Sequence, residues 1–146
     1  IGQGGRNISA ANAMKHIAGY SCFMDGSVRD YQFQRTTDQG KNFYRSSSIG
    51  PALVTTDEVG ELDPLTLTTI VSGETMQHTQ FDNLIFSVPK LIEYLSGITE
   101  LRIGDVIATG TPEGVGFSRK PPRFLTHGDV VEVIIEKVGT LRNVVA

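Results

Sequence analysis

The chain has 146 residues, of which 39% are hydrophobic and 20% charged, and its formal net charge is −3. This length favours one folded domain, and this apolar content excludes an intrinsically disordered chain, which carries too few apolar side chains to form a core. No basic block or basic helical face is present, so the electrostatic signature of nucleic-acid binding is missing. No apolar run approaches the length of a transmembrane helix.

The chain contains a single cysteine, Cys22, and no signal-peptide pattern. One thiol cannot build the disulfide framework that is typical of small secreted domains. Without a targeting segment, the predicted location is the cytoplasm. Neither a membrane nor a nucleic acid is expected as a partner.

Both ends of the chain read as interrupted strands. Residue 1 is Ile rather than Met and runs directly into a glycine-rich segment, while residues 141–146 still have the character of a strand where the chain stops. We interpret residues 1–146 as a single domain that is a piece of a larger protein.

The first part of the chain predicts one short helix and two strands joined by polar segments. Asn7 or Ser9 can cap the helix, and Gly19 ends it. The strand that follows alternates up to Asp25. In chain order, the predicted elements are a helix over residues 10–16, a strand over 20–25, a turn or short helical segment over 26–34, a polar loop over 35–40, a strand over 52–55 and an acidic turn over 57–64.

The second part of the chain predicts a hairpin, a helix and further short strands. Ser72 and Gly73 are typical of a hairpin turn, and Pro89 suits the first turn of a helix that Gly97 would end. The predicted elements are strands over residues 65–71 and 74–79, a helix over 89–96, a strand over 106–109, a glycine-rich loop over 110–116, a long strand over 130–138 and a terminal strand after it. Many short strands with two short helices predict an α+β fold that is mainly antiparallel.

Several common catalytic motifs are missing from the sequence. The three histidines, His16, His78 and His127, lie far apart and have no cysteine partner, so a zinc site is not indicated. No Gly-x-Ser-x-Gly elbow is present, and the glycine-rich loops match neither a phosphate-binding loop nor the dinucleotide fingerprint. Nucleotide binding, serine hydrolysis and zinc hydrolysis are therefore not expected.

Two Gly-Asp pairs precede apolar runs of similar sequence, one ending at Asp105 and the other at Asp129. Glycine followed by aspartate is typical of a turn that enters a strand. We therefore predict a structural role for both aspartates and none in catalysis.

A polar cluster follows the first predicted strand. Asp25 ends this strand, which suits a ligand of a hard cation, and Arg29 and Gln32 are spaced to share one helical face. Lys41 comes after the next loop. Spacing alone leaves open a purely structural turn in which Asp25 caps the chain and Arg29 pairs with Asp30, because one carboxylate does not make a metal site.

The stretch over residues 19–32, GYSCFMDGSVRDYQ, resembles a motif of the fumarylacetoacetate hydrolase family close to G-Y-x-x-x-x-D-x-S-A-R-D-x-Q. The likeness continues in order along nearly the whole chain. The further segments are GKNF at 40–43, IGP at 49–51, SGE at 72–74, IFSVP at 85–89, GDVI at 104–107, TGTPEGVG at 109–116 and GDVVE at 128–132. Each fragment is weak alone, but the ordered set is specific.

The resemblance implies a mixed, mainly antiparallel β-roll of packed sheets with few short helices, of which residues 1–146 are a part of the catalytic domain. It also implies a divalent cation, Mg²⁺ or alternatively Mn²⁺ or Ca²⁺, held by three carboxylates. Asp25 matches one of the three. The other two, a Glu-x-Glu pair, and a lid whose His and Glu activate water would lie upstream of residue 1.

The resemblance also implies roles for four further residues. Arg29, Gln32 and Thr111 would contact a small diketo acid substrate, and Lys41 would stabilise developing negative charge as the catalytic residue. The loop that holds Thr111 is expected to follow a buried strand and to fold back beside Asp25. A tight surface connection with no ligand role is the alternative for this loop. Family members suggest a homodimer.

The expected function is that of a metal-dependent hydrolase in catabolism. It would cleave a carbon–carbon bond in a 1,3-diketo acid, such as an acylpyruvate or a fumarylacetoacetate-like compound. Two alternatives stay open. The same site can serve an isomerase or decarboxylase of a 2-hydroxymuconate or oxo-diacid compound in aromatic degradation, or the chain can be an inactive relative that keeps only the fold.

Overall fold

The computed structural model describes residues 1–146 and contains six strands and five short α-helices. In chain order these are α1 (Ala10–Ala13), β1 (Gly19–Asp25), α2 (Arg29–Gln34), α3 (Thr37–Lys41), β2 (Ser47–Thr55), α4 (Thr56–Val59), β3 (Thr66–Val71), β4 (Glu74–Gln80), α5 (Val88–Ile98), β5 (Val130–Ile135) and β6 (Gly139–Val144). Short 3₁₀ turns cover Met14–His16, Phe81–Asn83 and Gly116–Ser118. All strand pairs are antiparallel, so the predicted α+β, mainly antiparallel fold is confirmed.

The larger sheet has four strands in the order β4-β3-β5-β6. β3 and β4 form the predicted hairpin around Ser72 and Gly73. In β5, Val131, Val133 and Ile135 are buried and alternate with half-buried residues, as period-2 geometry requires of a strand with one face on the core. This alternation fixes the register of the sheet, since a one-residue slip would turn the apolar set towards solvent.

The pairing of β3 with β4 contains one irregularity. Thr69 pairs with Gln77 while the next residue, Ile70, pairs with Thr75, so Met76 is an extra residue in β4. Such a β-bulge bends the strand and redirects the side chains beside it. The bulge lies where β4 faces the glycine-rich loop over residues 110–116.

The smaller sheet pairs β1 with β2 and packs against the larger one. Their shared core is formed by seven buried side chains: Cys22, Val59, Leu65, Val133, Ile135, Val138 and Leu141. Cys22 in β1 is fully buried among them, and this burial raises the pKa of its thiol. β1 is thereby fixed in place, and its last residue, Asp25, emerges at the edge of this core.

A second, smaller core joins α5 to the N-terminal segment and contains Ile8, Ala13, Ile92 and Leu101. Pro89 lies in the first turn of α5, as predicted. Ser96 is fully buried, and its hydroxyl oxygen accepts a hydrogen bond from the backbone N–H of Ile8 at 2.9 Å. Gly97 does not end the helix, which runs one residue further.

Five predicted elements are wrong. The acidic turn over residues 57–64 contains part of α4, in which Val59 is buried. The long strand over 130–138 ends at Ile135, because the chain turns at Lys137, which has a φ of 60°, and β6 already begins at Gly139.

The polar loop over residues 35–40 contains α3, because Thr36 caps that helix by accepting a hydrogen bond from the N–H of Gln39 at 3.3 Å. β2 begins at Ser47, well before the predicted position. Residues 106–109 form no strand, because no backbone hydrogen bond joins them to a neighbouring segment, and Val106 is 64% exposed. None of the helices has the length and hydrophobicity that crossing a membrane demands.

Candidate active site

A cavity of about 1280 Å³ opens where β1 ends, and helices α2 and α3 and the segment 105–117 surround it. This volume exceeds the range of roughly 300–1,000 Å³ typical of small-molecule sites, so the cavity can admit a small acid but does not enclose it closely. All five residues singled out from the sequence line this cavity: Asp25, Arg29, Gln32, Lys41 and Thr111. Residues 86 positions apart in the chain thus line the same cavity.

Asp25 and Lys41 form an ion pair at the mouth of the cavity. The Lys41 ammonium contacts a carboxylate oxygen of Asp25 and lies 3.2 Å from the Ser27 hydroxyl. Both side chains are about one-third exposed, at 32% for Lys41 and 35% for Asp25. Lys41 is therefore not a freely solvated surface lysine, and its charge is directed towards the cavity.

The position of Lys41 depends on how closely α3 packs against α2. Gly40 is buried, and a Cβ atom at this position would lie 2.6 Å from the Cβ atom of Gln32. The carbonyl of Gly40 accepts a hydrogen bond from the N–H of Val28 at 2.8 Å. A glycine before Lys41 is what allows the two helices to approach, and this contact sets the lysine beside Asp25.

Arg29 and Gln32 share one face of α2, as their spacing predicts. Arg29 Nη1 donates a hydrogen bond to Oε1 of Gln32 at 2.5 Å. The Arg29 guanidinium also lies over the ring of Phe117, 4.9 Å from its centroid, within the range of a cation–π contact. Phe117 packs against Phe33 with centroids 5.3 Å apart. Arg29 is thereby held from two sides, and it forms no ion pair with Asp30.

The glycine-rich loop lies against β4. Thr111 accepts a hydrogen bond from Nε2 of Gln77 at 2.8 Å, and the same nitrogen donates to the carbonyl of Pro112 at 2.8 Å. Arg119 donates to the carbonyls of Met76 at 2.8 Å and of Gly114 at 3.3 Å. The loop does fold back towards the cavity that Asp25 lines, but the buried strand expected before it is absent.

Sequence reasoning missed Gln77 and Phe117, although both line the cavity. Gln77 lies in an ordinary strand pattern, and Phe117 lies in a loop without periodicity. The sequence around each residue therefore gives no indication that it belongs to a site. Their partners, Thr111 and Arg29, lie far away in the sequence. Only the tertiary structure connects them.

A second charged cluster lies at the start of β5. Asp129 accepts hydrogen bonds from Arg123 at 2.7 Å, from the Ser72 hydroxyl at 2.7 Å and from the N–H of Thr126 at 2.8 Å. These bonds, with that from Arg123 the strongest, hold the pKa of the Asp129 carboxyl far below its usual range. Asp129 ties the hairpin turn to the segment before β5, which agrees with the structural role predicted for it.

Asp25 supplies fewer ligands than a divalent cation needs. Hard cations take six or more oxygen ligands, several of them carboxylates. No group of three or more His, Cys, Asp or Glu side chains in the 146 residues is arranged to hold a metal ion. Asp25 can supply one ligand, so these residues fit a part of a divalent site and do not complete one.

Residues 1–146 match the family model described as fumarylacetoacetate (FAA) hydrolase, C-terminal. The chain belongs to the fumarylacetoacetate hydrolase family. The resemblance seen in the sequence motifs is therefore confirmed over the full length of the chain.

Two curated members of the fumarylacetoacetate hydrolase family illustrate the similarity. The chain is 43% identical over 146 residues to the mitochondrial oxaloacetate tautomerase FAHD2A of Bos taurus, an alignment covering 98% of this chain and 46% of that protein. It is 40% identical over 144 residues to the oxaloacetate tautomerase YisK of Bacillus subtilis (strain 168), covering 98% and 48%. The chain thus spans about half the length of these relatives.

Solved structures of the family superimpose closely. A fumarylacetoacetate hydrolase from Exiguobacterium antarcticum has a TM-score of 0.96 at 38% identity, covering 99% of this chain and 52% of that one. The fumarylpyruvate hydrolase of Pseudomonas aeruginosa, in complex with Mn²⁺ and pyruvate, has a TM-score of 0.87 at 36% identity, covering 97% and 60%. A 5-carboxymethyl-2-hydroxymuconate delta-isomerase from Mycobacterium smegmatis has a TM-score of 0.90 at 34% identity, covering 100% and 55%.

The family is one of enzymes, and its members similar to this chain are named as hydrolases, an isomerase and tautomerases. Both the hydrolase and the isomerase expected from the sequence occur among them. The bovine relative is named as mitochondrial, so the cytoplasmic location of this chain stays a prediction. The homodimer likewise stays a prediction.

Proposed function

We propose that this chain forms part of an active site that binds a small 2-oxo acid and stabilises its enolate. The observation that carries the proposal is the meeting of Lys41, Asp25, Arg29, Gln32 and Thr111 around one cavity. Two cations and a hydroxyl directed at one space suit an anionic substrate whose negative charge shifts during reaction.

Lys41 would stabilise the charge that develops on the enolate oxygen. Its ammonium is held by the Asp25 carboxylate and the Ser27 hydroxyl, so its position is set before substrate arrives. A donor that is already oriented contributes most in the transition state, because no reorganisation is needed as charge develops.

Arg29 would bind the substrate carboxylate. A guanidinium presents a planar fork of N–H donors that matches a carboxylate with two parallel hydrogen bonds. Gln32 takes up one donor of Arg29, and Phe117 supports the guanidinium face. The remaining donors are free for the substrate, with Thr111 as a further polar contact.

Asp25 would be one ligand of a divalent cation, Mg²⁺, Mn²⁺ or Ca²⁺, with the other ligands supplied from outside these 146 residues or by water. Such an ion acts as a Lewis acid on substrate oxygens. Support comes from the carboxylate of Asp25 at the cavity and from the Mn²⁺ and pyruvate named with the similar Pseudomonas aeruginosa structure.

The reaction favoured first is the enol–keto tautomerisation of a dicarboxylic 2-oxo acid such as oxaloacetate. The hydroxyl proton leaves the enol oxygen, and a proton is added at the neighbouring carbon. Both curated relatives named above are oxaloacetate tautomerases. This reaction needs no activated water.

The second reaction is hydrolysis of a carbon–carbon bond in a 1,3-diketo acid. Water adds to one carbonyl, the bond breaks, and its electron pair leaves on the enolate of the 2-oxo acid product. The hydrolases among the similar structures favour this reaction. It needs a general base for water, and the family resemblance implies such a base in the lid expected upstream of residue 1.

The test assays the protein that carries this chain with enol-oxaloacetate and with an acylpyruvate, in the presence of Mg²⁺ or Mn²⁺. Loss of enol absorbance beyond the uncatalysed rate supports tautomerisation, and release of pyruvate from the acylpyruvate supports hydrolysis. Turnover of neither, as expected of an inactive relative, overturns the proposal.

Lys41→Met should lower kcat by about 10²–10³-fold with a much smaller change in KM, because the ammonium acts mainly on charge formed in the transition state. Lys15→Met is the matched control, since Lys15 contacts only Asn12 outside the cavity. A Lys41→Met enzyme that keeps kcat and loses substrate affinity would make Lys41 a binding residue only.

A further inference from the structure

Gln77 lies beneath the loop that carries Thr111 and contacts two atoms of it. Its side-chain nitrogen donates to Thr111 Oγ1 and to the Pro112 carbonyl, both at 2.8 Å. The β-bulge at Met76 precedes Gln77 in the pairing of β4 with β3. Bulges next to functional sites commonly redirect a side chain.

The orientation of the Gln77 amide follows from its partners. A carbonyl oxygen only accepts hydrogen bonds, so the atom of Gln77 that faces Pro112 has to be the NH₂ group. A flipped amide would place two oxygens against each other. The second hydrogen of the same NH₂ group is then directed at Thr111 Oγ1.

This orientation fixes the polarity of the Thr111 hydroxyl. A hydroxyl has one hydrogen to donate and two lone pairs that accept. One lone pair takes the Gln77 hydrogen, and within the 146 residues the hydroxyl has no other hydrogen-bond partner. Its own hydrogen is therefore left for a group in the cavity that Thr111 lines.

We infer that Gln77 is a positioning residue that makes Thr111 a hydrogen-bond donor, and so selects ligands that place a carboxylate or carbonyl oxygen at this position. This inference rests on the proposed function, in which Thr111 contacts the substrate. A ligand that offers a hydroxyl or amide donor there can use only the second lone pair of the Thr111 oxygen and leaves the Thr111 hydrogen without an acceptor, and an unsatisfied donor costs affinity.

The loop is held firmly enough for this arrangement to act on a ligand. Arg119 bridges the carbonyls of Met76 and Gly114, and its guanidinium also pairs with Glu74 at 3.1 Å. The loop therefore stays against β4 without Gln77. Removing the Gln77 amide should release the Thr111 hydroxyl while leaving the backbone of the loop in place.

The test measures binding of oxalate, a planar dianion similar in shape to an enolised 2-oxo acid, by calorimetry in the protein that carries this chain. Gln77→Leu and Thr111→Val are each expected to raise the Kd for oxalate about tenfold, the loss of one hydrogen bond to a charged group. The double variant should be no weaker than either single variant, because both remove the same bond.

Gln80→Leu is the matched control, since Gln80 lies three residues on in β4 and outside the cavity. It should leave the Kd for oxalate unchanged. In turnover with a 2-oxo acid, Gln77→Leu should raise KM with little change in kcat. A residue with a merely structural role would not change KM selectively.

The outcomes separate the inference from the proposed function. Normal oxalate affinity in Gln77→Leu, or losses that multiply in the double variant, would overturn the inference and leave the function standing. Normal affinity in Thr111→Val would overturn both roles at this position. If the wild-type protein binds no oxalate and turns over no 2-oxo acid, the proposed function is wrong. Crystal structures of the wild type and of Gln77→Leu then test the inference separately. A Thr111 side chain in the same orientation in both would overturn the inference.

Discussion

Gly114 is a position where a single methyl group should separate the loop from the sheet. A Cβ atom there would lie 2.1 Å from the carbonyl oxygen of Met76, whereas ordinary contacts begin near 3.4 Å. The residue also has a φ of 98°, which L-amino acids other than glycine rarely adopt. Gly114→Ala therefore combines backbone strain with a clash that only movement of the loop, by about 1 Å, can relieve.

A matched variant separates the contribution of backbone strain from that of the clash. Gly104 has a φ of 92° and nothing within 4 Å of its Cβ position, so Gly104→Ala reports the strain alone, about 1–3 kcal/mol. In Gly114→Ala the bonds of Gln77 to Thr111 and Pro112 and of Arg119 to Gly114 are lost as well. At about 1 kcal/mol for each of these three bonds, the total becomes roughly 4–6 kcal/mol.

Thermal unfolding followed by circular dichroism measures both variants. One kcal/mol corresponds to roughly 3 °C for a chain of this length, so the three lost bonds should make Gly114→Ala melt roughly 9 °C below Gly104→Ala. Substrate KM should rise in Gly114→Ala alone, since only there is Thr111 displaced. Equal melting temperatures and equal KM values in the two variants would refute the reasoning.

Two further predictions concern stability. Ile92 is 2% exposed in the core between α5 and α1, so Ile92→Ala should lower the free energy of unfolding by about 2–5 kcal/mol, measured by urea denaturation; a loss below 1 kcal/mol would contradict the described packing. The hydrogen bonds that lower the pKa of Asp129 stabilise the fold while its carboxyl is ionised. This stabilisation is complete at pH values above the pKa of about 3.9 that Asp has in the unfolded chain, and it is lost as the pH falls below that value. The melting temperature should therefore fall more steeply below about pH 4 in the wild type than in Asp129→Asn, and parallel curves would argue against a role for the Arg123 contact.

The sequence predicted those elements whose stability depends on residues close to them along the chain. The β3–β4 hairpin, the alternating β5 and the helix with Pro89 in its first turn all follow from period and turn residues. The two Gly-Asp turns show where such signals end. Asp105 and Asp129 each accept a hydrogen bond from the N–H three residues earlier, at 2.7 Å and 2.8 Å. Only the second turn leads into a strand, because only there is β3 available for pairing.

The sequence identifies the site residues that match a family motif, but not the residues that fix those side chains in position. Asp25, Arg29 and Lys41 stand within 17 consecutive positions of the sequence, so a motif could bring them to attention together. Gln77 lies 34 residues from its partner Thr111, and nothing in its own neighbourhood distinguishes it from other strand residues. Helix α3 was missed for a similar reason, since its packing on α2 requires a buried Gly40.

The extra residue in β4 makes strand length, as well as residue identity, a condition for the site. Met76 has no partner in β3, while Gln77 and Thr75 do. Deleting Met76 would keep Gln77 opposite Thr69 and Thr75 opposite Ile70, so the register on both sides would survive. The bend that the bulge gives β4 would be lost, together with the Met76 carbonyl to which Arg119 donates. A homologue can therefore retain Gln77 and Thr111 and still lose the close fit of the loop through a single deletion in the strand below.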